Sequence, residues 1–313
     1  MARAPEFKDI DGWLNTKPLL LEGLRGKVVL LDFWTYSCVN CLRTLPHMKL
    51  LWEKYKKYPF VIVGVHTPEF DFERQKAHVE KAVKRLGIEY PVALDSRNTT
   101  WIAYGNQYWP KQILIDDKGI IVWEHGGEGD YDEMERQIVG AVQKAGVAVT
   151  ENVSAREDDV ASSDISPETY AGSGRNKGIG SSGVCTLTGC EYRDRSEHKR
   201  DVIYLQGAWE QEPEFLEYKG EDAKGYLAFQ YRAREVNIVM EPVSNSVDVE
   251  VLLDGKTLVK DKSGSDVRVN GGKSTLVVDR ADMYRVVLSN GVEEHEIRIL
   301  SRRGLRVYAF TFG

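Results

Sequence analysis

The chain has 313 residues, of which 42% are hydrophobic and 29% are charged, and its formal net charge is -6 at pH 7. This length and apolar content exceed the needs of one small domain and predict two hydrophobic cores. The charge is spread along the chain, and no basic segment alternates with aromatic residues, so no nucleic-acid partner is expected.

The first twenty residues carry charged side chains among the apolar ones, so neither a signal peptide nor a membrane span is predicted there. Four cysteines form two close pairs, Cys38/Cys41 and Cys185/Cys190, with none left over. Paired cysteines are typical of proteins that work in oxidising surroundings. We therefore expect an extracytoplasmic location, the periplasm or the cell surface, for a chain that lacks its leader or membrane segment, and the cytoplasm stays open as the alternative.

The first half of the chain alternates short β-rich apolar runs with helical patterns. Apolar residues recur at helical spacing over residues 45–55 and 134–145. Strands alternating with helices predict an α/β domain over residues 1–146, with a sheet covered on both faces. The predicted strands are 28–33, 60–65, 92–94, 112–115 and 120–123.

The second half has a different composition. Residues 147–183 are rich in Ser, Gly and acidic residues and poor in large apolar ones, which predicts a linker. Over residues 184–313, short β-type runs are separated by turn signals and show almost no helical periodicity, which predicts an all-β, jelly-roll-like sandwich. These runs are 226–233, 236–240, 247–253, 274–278, 284–288, 296–300 and 305–312.

A Cys-x-x-Cys pair, formed by Cys38 and Cys41, follows the strand at 28–33 and opens a predicted helix. Such a pair alone could be half of a zinc site, a structural loop or a redox pair, but no further residues at zinc-ligand spacing lie nearby, so no metal is predicted. At a helix start, unpaired N–H groups and the positive end of the dipole lower a thiol pKa from its usual value of about 8.5. We therefore predict that Cys38 is the nucleophile and that the more buried Cys41 resolves the mixed disulfide, with no other cofactor.

Residues 32–46, DFWTYSCVNCLRTLP, resemble the thioredoxin superfamily in its TlpA-like and DipZ branch. In that family, an acid at the position of Asp32 helps to move the proton of the second cysteine. A cis-proline at the position of Pro110 lines the peptide-binding surface. The resemblance implies these roles here, although Asp32 could instead be a solvated acid at a strand end. Trp34 and Trp109 adjoin the two motifs and are candidates, with Pro110, for an apolar substrate-binding platform, the alternative being core aromatics.

Further stretches extend the resemblance over nearly the whole chain, to the C-terminal portion of DipZ proteins. They include HTPEF at 66–70, YGNQYWP at 104–110 and the terminal YAFTFG. The resemblance implies protein disulfide substrates and an electron donor, membrane-bound or soluble, of the CcdA or DsbD type. The membrane domain that precedes this portion in DipZ proteins is missing here, so the donor stays open. The last domain of DipZ proteins is similar to carbohydrate-binding β-sandwiches, which makes a glycan a candidate partner.

Three other residue groups call for simpler interpretations. Cys185 and Cys190 enclose four residues, a length that suits a turn closed by a structural disulfide, with a second redox pair or a metal site as alternatives. His66 is predicted to be a hydrogen-bonded structural histidine, because thiol exchange needs no separate histidine. Glu69 is predicted to be a solvated loop acid, the alternative being that its charge tunes the cysteine pair.

The leading hypothesis is a protein thiol-disulfide oxidoreductase, a reductase or isomerase of extracytoplasmic proteins. One alternative is a glycan-binding or adhesion protein with an accessory redox domain. Another is a peroxiredoxin-type peroxidase, because Thr35-Tyr36-Ser37-Cys38 fits the end of the pattern Pro-x-x-x-Thr-x-x-Cys. Leu31 occupies the proline position of that pattern, and Cys41 lies too close to be the usual resolving cysteine of such enzymes.

Overall fold

The computed structural model describes residues 2–153, 164–186, 189–194, 197–221 and 225–313. The chain separates into two compact units, Met1–Val160 and Ala161–Gly313. The first unit contains a six-stranded mixed sheet, and the strands of the second form a separate antiparallel network. No helix in the described ranges is long and apolar enough to cross a bilayer.

The first unit is an α/β domain, as predicted. Its sheet has the strand order β1-β4-β3-β2-β5-β6, in which β2, β3 and β4 run parallel and the other pairings are antiparallel. Its strands and helices are β1 Gly12–Leu14, β2 Val28–Trp34, α1 Val39–Tyr55, β3 Phe60–His66, α2 Lys76–Leu86, β4 Val92–Leu94, α3 Thr99–Ala103, β5 Lys111–Ile115, β6 Ile121–Gly126 and α4 Tyr131–Lys144.

Strand β2 lies inside the sheet, and all seven of its residues are buried. A strand covered on both faces is expected to be a continuous apolar run. All residues of β2 except Asp32 are apolar. Alternation of side chains directs Val29, Leu31 and Phe33 into the core on one face and Asp32 to the other. The sheet therefore places one carboxyl group in the protein interior.

The second unit is all-β and antiparallel, as predicted. Its strands follow the order β15-β16-β13-β17-β12-β18-β11-β10-β9-β8, with β14 on β13 and β7 on β18. Strand β10 also pairs with β12, so β12, β18, β11 and β10 close into a ring. The strands are β7 Thr169–Tyr170, β8 Ser182–Thr186, β9 Gly189–Arg193, β10 Ile203–Gln211, β11 Leu216–Tyr218, β12 Tyr226–Pro242, β13 Val247–Leu253, β14 Lys256–Thr257, β15 Val267–Asn270, β16 Lys273–Val278, β17 Asp282–Leu300 and β18 Leu305–Phe312.

Two strands are longer than predicted. The runs at 226–233 and 236–240 belong to one strand, β12, and those at 284–288 and 296–300 belong to β17. The pairing of β12 with β17 shifts register between Ala233 and Glu235 and again between Val236 and Asn237. A β-bulge interrupts the alternation of side chains without ending the strand, so the sequence pattern suggests a break where the backbone continues.

The predicted linker, residues 147–183, extends too far. Its described C-terminal part contributes to the second unit, because β7 pairs with β18. The Ser166 hydroxyl also donates a hydrogen bond to the Asp201 carboxylate and accepts one from the backbone N–H of Arg232. A two-residue strand and isolated side-chain hydrogen bonds produce no hydrophobic periodicity in the sequence. The composition of this segment is then the remaining signal, and it suggests a linker. Residues 154–163 lie outside the described part of the chain.

Candidate redox site

Cys38 and Cys41 lie at the junction of β2 and α1 and are joined by a disulfide, with 5.3 Å between their Cα atoms. Cys38 is the N-cap of α1, in an extended conformation, and its Sγ accepts a hydrogen bond of 3.2 Å from the backbone N–H of Cys41. Cys38 is partly exposed, whereas Cys41 is 3% exposed. The more exposed cysteine is therefore the one at the helix N-terminus, where a thiolate would be stabilised.

Asp32 is 3% exposed and lies opposite Gln112 of β5. The Nε2 group of Gln112 donates a hydrogen bond of 3.0 Å to Oδ1 of Asp32. Burial raises the pKa of Asp32 to about 6, an effect that the bond from Gln112 partly opposes. This carboxyl group can therefore gain or lose a proton close to neutral pH, and its catalytic role remains a prediction.

Gly64 of β3 makes room for two aromatic rings beside Asp32. It lies opposite Asp32 in the parallel pairing of β2 with β3. A Cβ atom at this position would lie 3.0 Å from Nε1 of Trp34 and 3.1 Å from a ring carbon of Tyr90. The charge of Asp32 contributes to a raised pKa of Tyr90, behind the larger effect of burial.

Trp34 is only 2% exposed, which corrects the prediction that its ring forms part of a substrate platform. Strand β2 extends one residue beyond its predicted end and pairs Trp34 with His66 of β3. The indole packs edge-on against the His66 ring, with the centroids 5.3 Å apart. Trp34 therefore belongs to the interior, and its Nε1 has no hydrogen-bond partner in the described ranges.

The Trp109–Pro110 peptide bond is cis, as the family resemblance implies. Pro110 directly precedes β5, whose pairing with β2 places the proline beside the end of that strand. The indole N–H of Trp109, which is half-buried, donates to the carbonyl of Thr67 at 3.1 Å, and the N–H of Thr67 donates to the carbonyl of Trp34 at 3.0 Å. Thr67 thus connects the cis-proline loop to the end of β2, just before the cysteine loop.

His66 is 1% exposed, and burial lowers its pKa to about 3, so the ring is neutral at physiological pH. It stacks on Tyr36 with the ring centroids 5.6 Å apart, and its Nε2 lies 3.3 Å from the hydroxyl of Thr35. These contacts agree with the interpretation of His66 as a hydrogen-bonded structural residue.

Glu73, which the sequence analysis does not single out, is fully buried next to the cysteine loop. It accepts hydrogen bonds from the hydroxyl groups of Thr35 and Ser37 and from the backbone N–H groups of Glu69 and Phe70. Burial raises the pKa of Glu73 to about 7. An acid in the aromatic stretch FDFE at 70–73 is the signal that could have drawn attention to this residue.

The second disulfide joins Cys185 of β8 to Cys190 of β9, which lie opposite each other in an antiparallel pair. Cys185 is exposed. Both residues lie in strands, away from any helix N-terminus, and their structural role remains a prediction. Across the described segments of both units, no three His, Cys, Asp or Glu side chains group as metal ligands.

The fold and the site define a thioredoxin-fold protein with a cysteine pair at the start of its first long helix and a cis-proline loop beside it. Residues 2–141 match the family described as Redoxin, and residues 166–313 match the one described as Thioredoxin like C-terminal domain.

Relatives resemble the chain over its whole length or over the first unit alone. Protein DipZ of Mycobacterium tuberculosis is 34% identical over 99% of this chain, which spans only 43% of that protein. Thiol-disulfide oxidoreductase ResA of Halalkalibacterium halodurans is 33% identical over 41% of this chain and 70% of its own length. A solved structure of a putative thiol:disulfide interchange protein DsbE from Chlorobium tepidum is 30% identical over 45% of this chain and 95% of its own, with a TM-score of 0.41. The chain belongs to the thioredoxin-like family of thiol-disulfide oxidoreductases.

Proposed function

We propose that this protein transfers electrons from its cysteine pair to disulfides of other proteins outside the cytoplasm, as a reductase or an isomerase. The observation that carries the proposal is the position of Cys38, partly exposed at the N-cap of α1 with the N–H of Cys41 directed at its sulfur. A thiolate formed there is stabilised by the helix end and is accessible to a substrate.

In the reduced protein, the Cys38 thiolate attacks one sulfur of a substrate disulfide. A mixed disulfide forms, and the other substrate sulfur leaves as a thiolate that takes up a proton. Cys41 then gives its proton to the Asp32 carboxylate and attacks Sγ of Cys38, which releases the second substrate thiol. Two electrons pass to the substrate, and the protein is left with the Cys38–Cys41 disulfide. For isomerisation, the released substrate thiolate instead attacks another disulfide of the same substrate, and the thiolate freed there attacks the substrate sulfur of the mixed disulfide. This forms a new substrate disulfide and releases Cys38 as a thiolate.

The cysteine pair needs an electron donor to act again as a reductase. We propose a dithiol donor, membrane-bound or soluble and of the CcdA or DsbD type. It reduces the Cys38–Cys41 disulfide by the same exchange and is itself oxidised to a disulfide. An extracytoplasmic location is supported by the four cysteines, all of which are joined in disulfides.

The reduction potential of the Cys38/Cys41 couple tests the direction of electron flow. It is measured by equilibrating the full chain with glutathione buffers and quantifying the two redox forms, with Cys38→Ser as the blank. A value near about -270 mV supports a reductase, whereas one near about -120 mV would make the protein an oxidant. Rapid consumption of peroxide by the reduced protein would favour a peroxidase instead.

A second proposal concerns a cleft of about 850 Å³ in the second unit. Two tyrosines line it, but Arg175 lies 3.6 Å above the ring of Tyr170, and the His198 ring stacks on Tyr204 at 3.9 Å. These contacts restrict stacking of a sugar ring on the tyrosines. Three cationic side chains, Arg175, Lys177 and Lys199, line the same cleft against two acidic ones, Glu168 and Asp201, so we propose that a glycan bound here is acidic and held through its charged groups.

Titration of the full chain with an acidic and a neutral polysaccharide, alginate and dextran, tests this second proposal. We expect alginate to bind and the double variant Lys177→Ala with Lys199→Ala to weaken that binding, whereas dextran does not bind. Equal binding of both polysaccharides, or unchanged alginate binding by the variant, would contradict it.

A further inference from the structure

Glu73 joins the two loops that follow the neighbouring parallel strands β2 and β3. One carboxylate oxygen, Oε1, accepts hydrogen bonds from the hydroxyls of Thr35 and Ser37, between β2 and α1. The other, Oε2, accepts from the backbone N–H groups of Glu69 at 2.6 Å and Phe70 at 3.0 Å, after β3. The side chain is 0% exposed, so these bonds form without competition from water.

The two hydroxyl donors lie at the ends of the short segment that carries the nucleophile. Thr35 directly follows the last residue of β2, and Ser37 directly precedes Cys38. The loop that follows β3 also contains Thr67, whose backbone carbonyl accepts a hydrogen bond from the Trp109 indole of the cis-proline loop. Glu73 therefore connects the cysteine loop to the segment that holds the cis-proline loop.

We propose that Glu73 is a positioning residue for thiol exchange, which keeps Cys38 at the N-terminus of α1 and in place beside the cis-proline loop. This inference rests on the proposed function, in which Cys38 is the nucleophile, and adds the residue that holds it. Burying a carboxyl group costs free energy, and here four donors offset that cost. All four belong to these two loops, so the interaction fixes the loops relative to each other.

Two substitutions separate positioning from charge. Glu73→Ala removes all four hydrogen bonds. Glu73→Gln removes the negative charge but keeps the connection, because its amide oxygen can accept from the two backbone N–H groups while its NH₂ group donates to the hydroxyls of Thr35 and Ser37. The readout is the rate of Cys38 alkylation by iodoacetamide in the reduced full chain between pH 6 and 9, which gives the pKa of the thiol.

We expect Glu73→Ala to raise the pKa of Cys38 by about one unit and to slow its alkylation at pH 7 about fivefold, because the loosened loop lets the sulfur leave the helix end. Glu73→Gln should alkylate at close to the rate of the unaltered protein. Alkylation needs no protein substrate, so this result is independent of whether the proposed reductase activity exists.

Glu135 offers a matched control, because it is also a buried acid, at 4% exposed, and accepts a hydrogen bond of 2.7 Å from the hydroxyl of Tyr55. Tyr55 ends the 17-residue helix α1, roughly 25 Å from the helix start. Glu135→Ala should leave the alkylation of Cys38 unchanged. A comparable slowing in this control would show that general destabilisation is the cause and would overturn the proposal.

Two further results would also overturn it. One is Glu73→Ala with a native circular dichroism spectrum and unchanged alkylation, and the other is Glu73→Gln as slow as Glu73→Ala, which would assign the effect to charge. If Glu73→Ala does not fold, Ser37→Ala decides the question, because it removes only the hydrogen bond next to Cys38. Slower alkylation in Ser37→Ala supports the proposal, and an unchanged rate contradicts it.

Discussion

The two disulfides of this chain join cysteines that are close in sequence but lie in different secondary structures. Cys38 and Cys41 lie at the start of a helix, whereas Cys185 and Cys190 face each other across two antiparallel strands. Cys185 is exposed and Cys38 is only partly exposed, so accessibility alone would favour the second pair as the reactive one. The helix end, however, gives Cys38 alone an environment that stabilises a thiolate. We therefore expect the local electrostatics around a sulfur, more than its exposure, to decide which of the two pairs is redox-active.

The largest expected difference between the two pairs is in covalent trapping of substrates. Cys41→Ser, produced in an oxidising compartment, should accumulate mixed disulfides with several proteins, because no second thiol is present to resolve them. Cys38→Ser should accumulate almost none. Adducts are counted on non-reducing gels before and after addition of a reductant.

The second pair provides the control for this experiment. Adding Cys185→Ser and Cys190→Ser to the Cys41→Ser variant should leave the adducts unchanged. Their loss, with the fold intact by circular dichroism, would place Cys185 and Cys190 in the electron path and remove the distinction between the two disulfides.

Asp32→Asn should stabilise the protein at alkaline pH. Burial raises the pKa of Asp32 from 3.8 to about 6. Because the folded-state pKa is the higher one, folding favours the protonated acid, and this stability is present below about pH 4 and lost as the pH rises through 6. At pH 8, Asp32→Asn should increase the free energy of unfolding by up to about 3 kcal/mol, measured by urea denaturation, and by little at pH 4.

The same variant sharpens the assignment of the redox pair. If Asp32 accepts the proton of Cys41, Asp32→Asn should also slow the release of substrate from the mixed disulfide, followed by rapid quenching. Faster or unchanged release between pH 6 and 8, in a variant with the expected gain in stability, would reduce Asp32 to a buried acid without a catalytic role.

Removing the second disulfide should cost stability and leave reactivity unchanged. For so short a loop, the chain-entropy estimate gives about 2 kcal/mol for the double variant Cys185→Ser with Cys190→Ser, measured as a loss in the free energy of unfolding of the full chain. Reduction of insulin disulfides is the parallel measurement and should not change. A loss of that activity at unchanged stability would reverse the roles that the comparison assigns.

The smallest expected effect concerns the two thiols of the redox pair. In the reduced protein at pH 7, iodoacetamide should alkylate Cys38 about tenfold faster than Cys41, because a thiol pKa of about 7 at the helix end makes roughly half of the Cys38 population thiolate. Mass spectrometry of the modified peptides gives both rates. Equal rates, or a pKa of Cys38 above about 8.5, would contradict its assignment as the nucleophile.

The sequence predicted the fold best where local patterns are strong. Strands β2 to β6 appear in the sequence as short apolar runs between turn signals. The Cys-x-x-Cys pair follows the run of β2, which predicts its place at the start of the next helix. Trp34 is buried against the His66 ring of the neighbouring strand β3, a contact that the local pattern of β2 does not show. The contacts of Glu73 could not be predicted, because its partners Thr35 and Ser37 are 38 and 36 residues away and local periodicity carries no information about such contacts.

The long strand β12 has a consequence for the way the second unit opens. It pairs with β17 along one edge and with β10 and then β18 along the other, so its backbone amides are bonded within the sheet network on both sides. Exchange of the amides at 236–240 with deuterated water requires breaking the pairings with β17 and β18 together, which approaches unfolding of the whole unit. Strands β8 and β15 stand at the two ends of the strand order, and β15, which is not tied to its neighbour by a disulfide as β8 is, can fray alone. Deuterium should therefore enter residues 236–240 last, and the rate at which it does so reports the global opening of this unit.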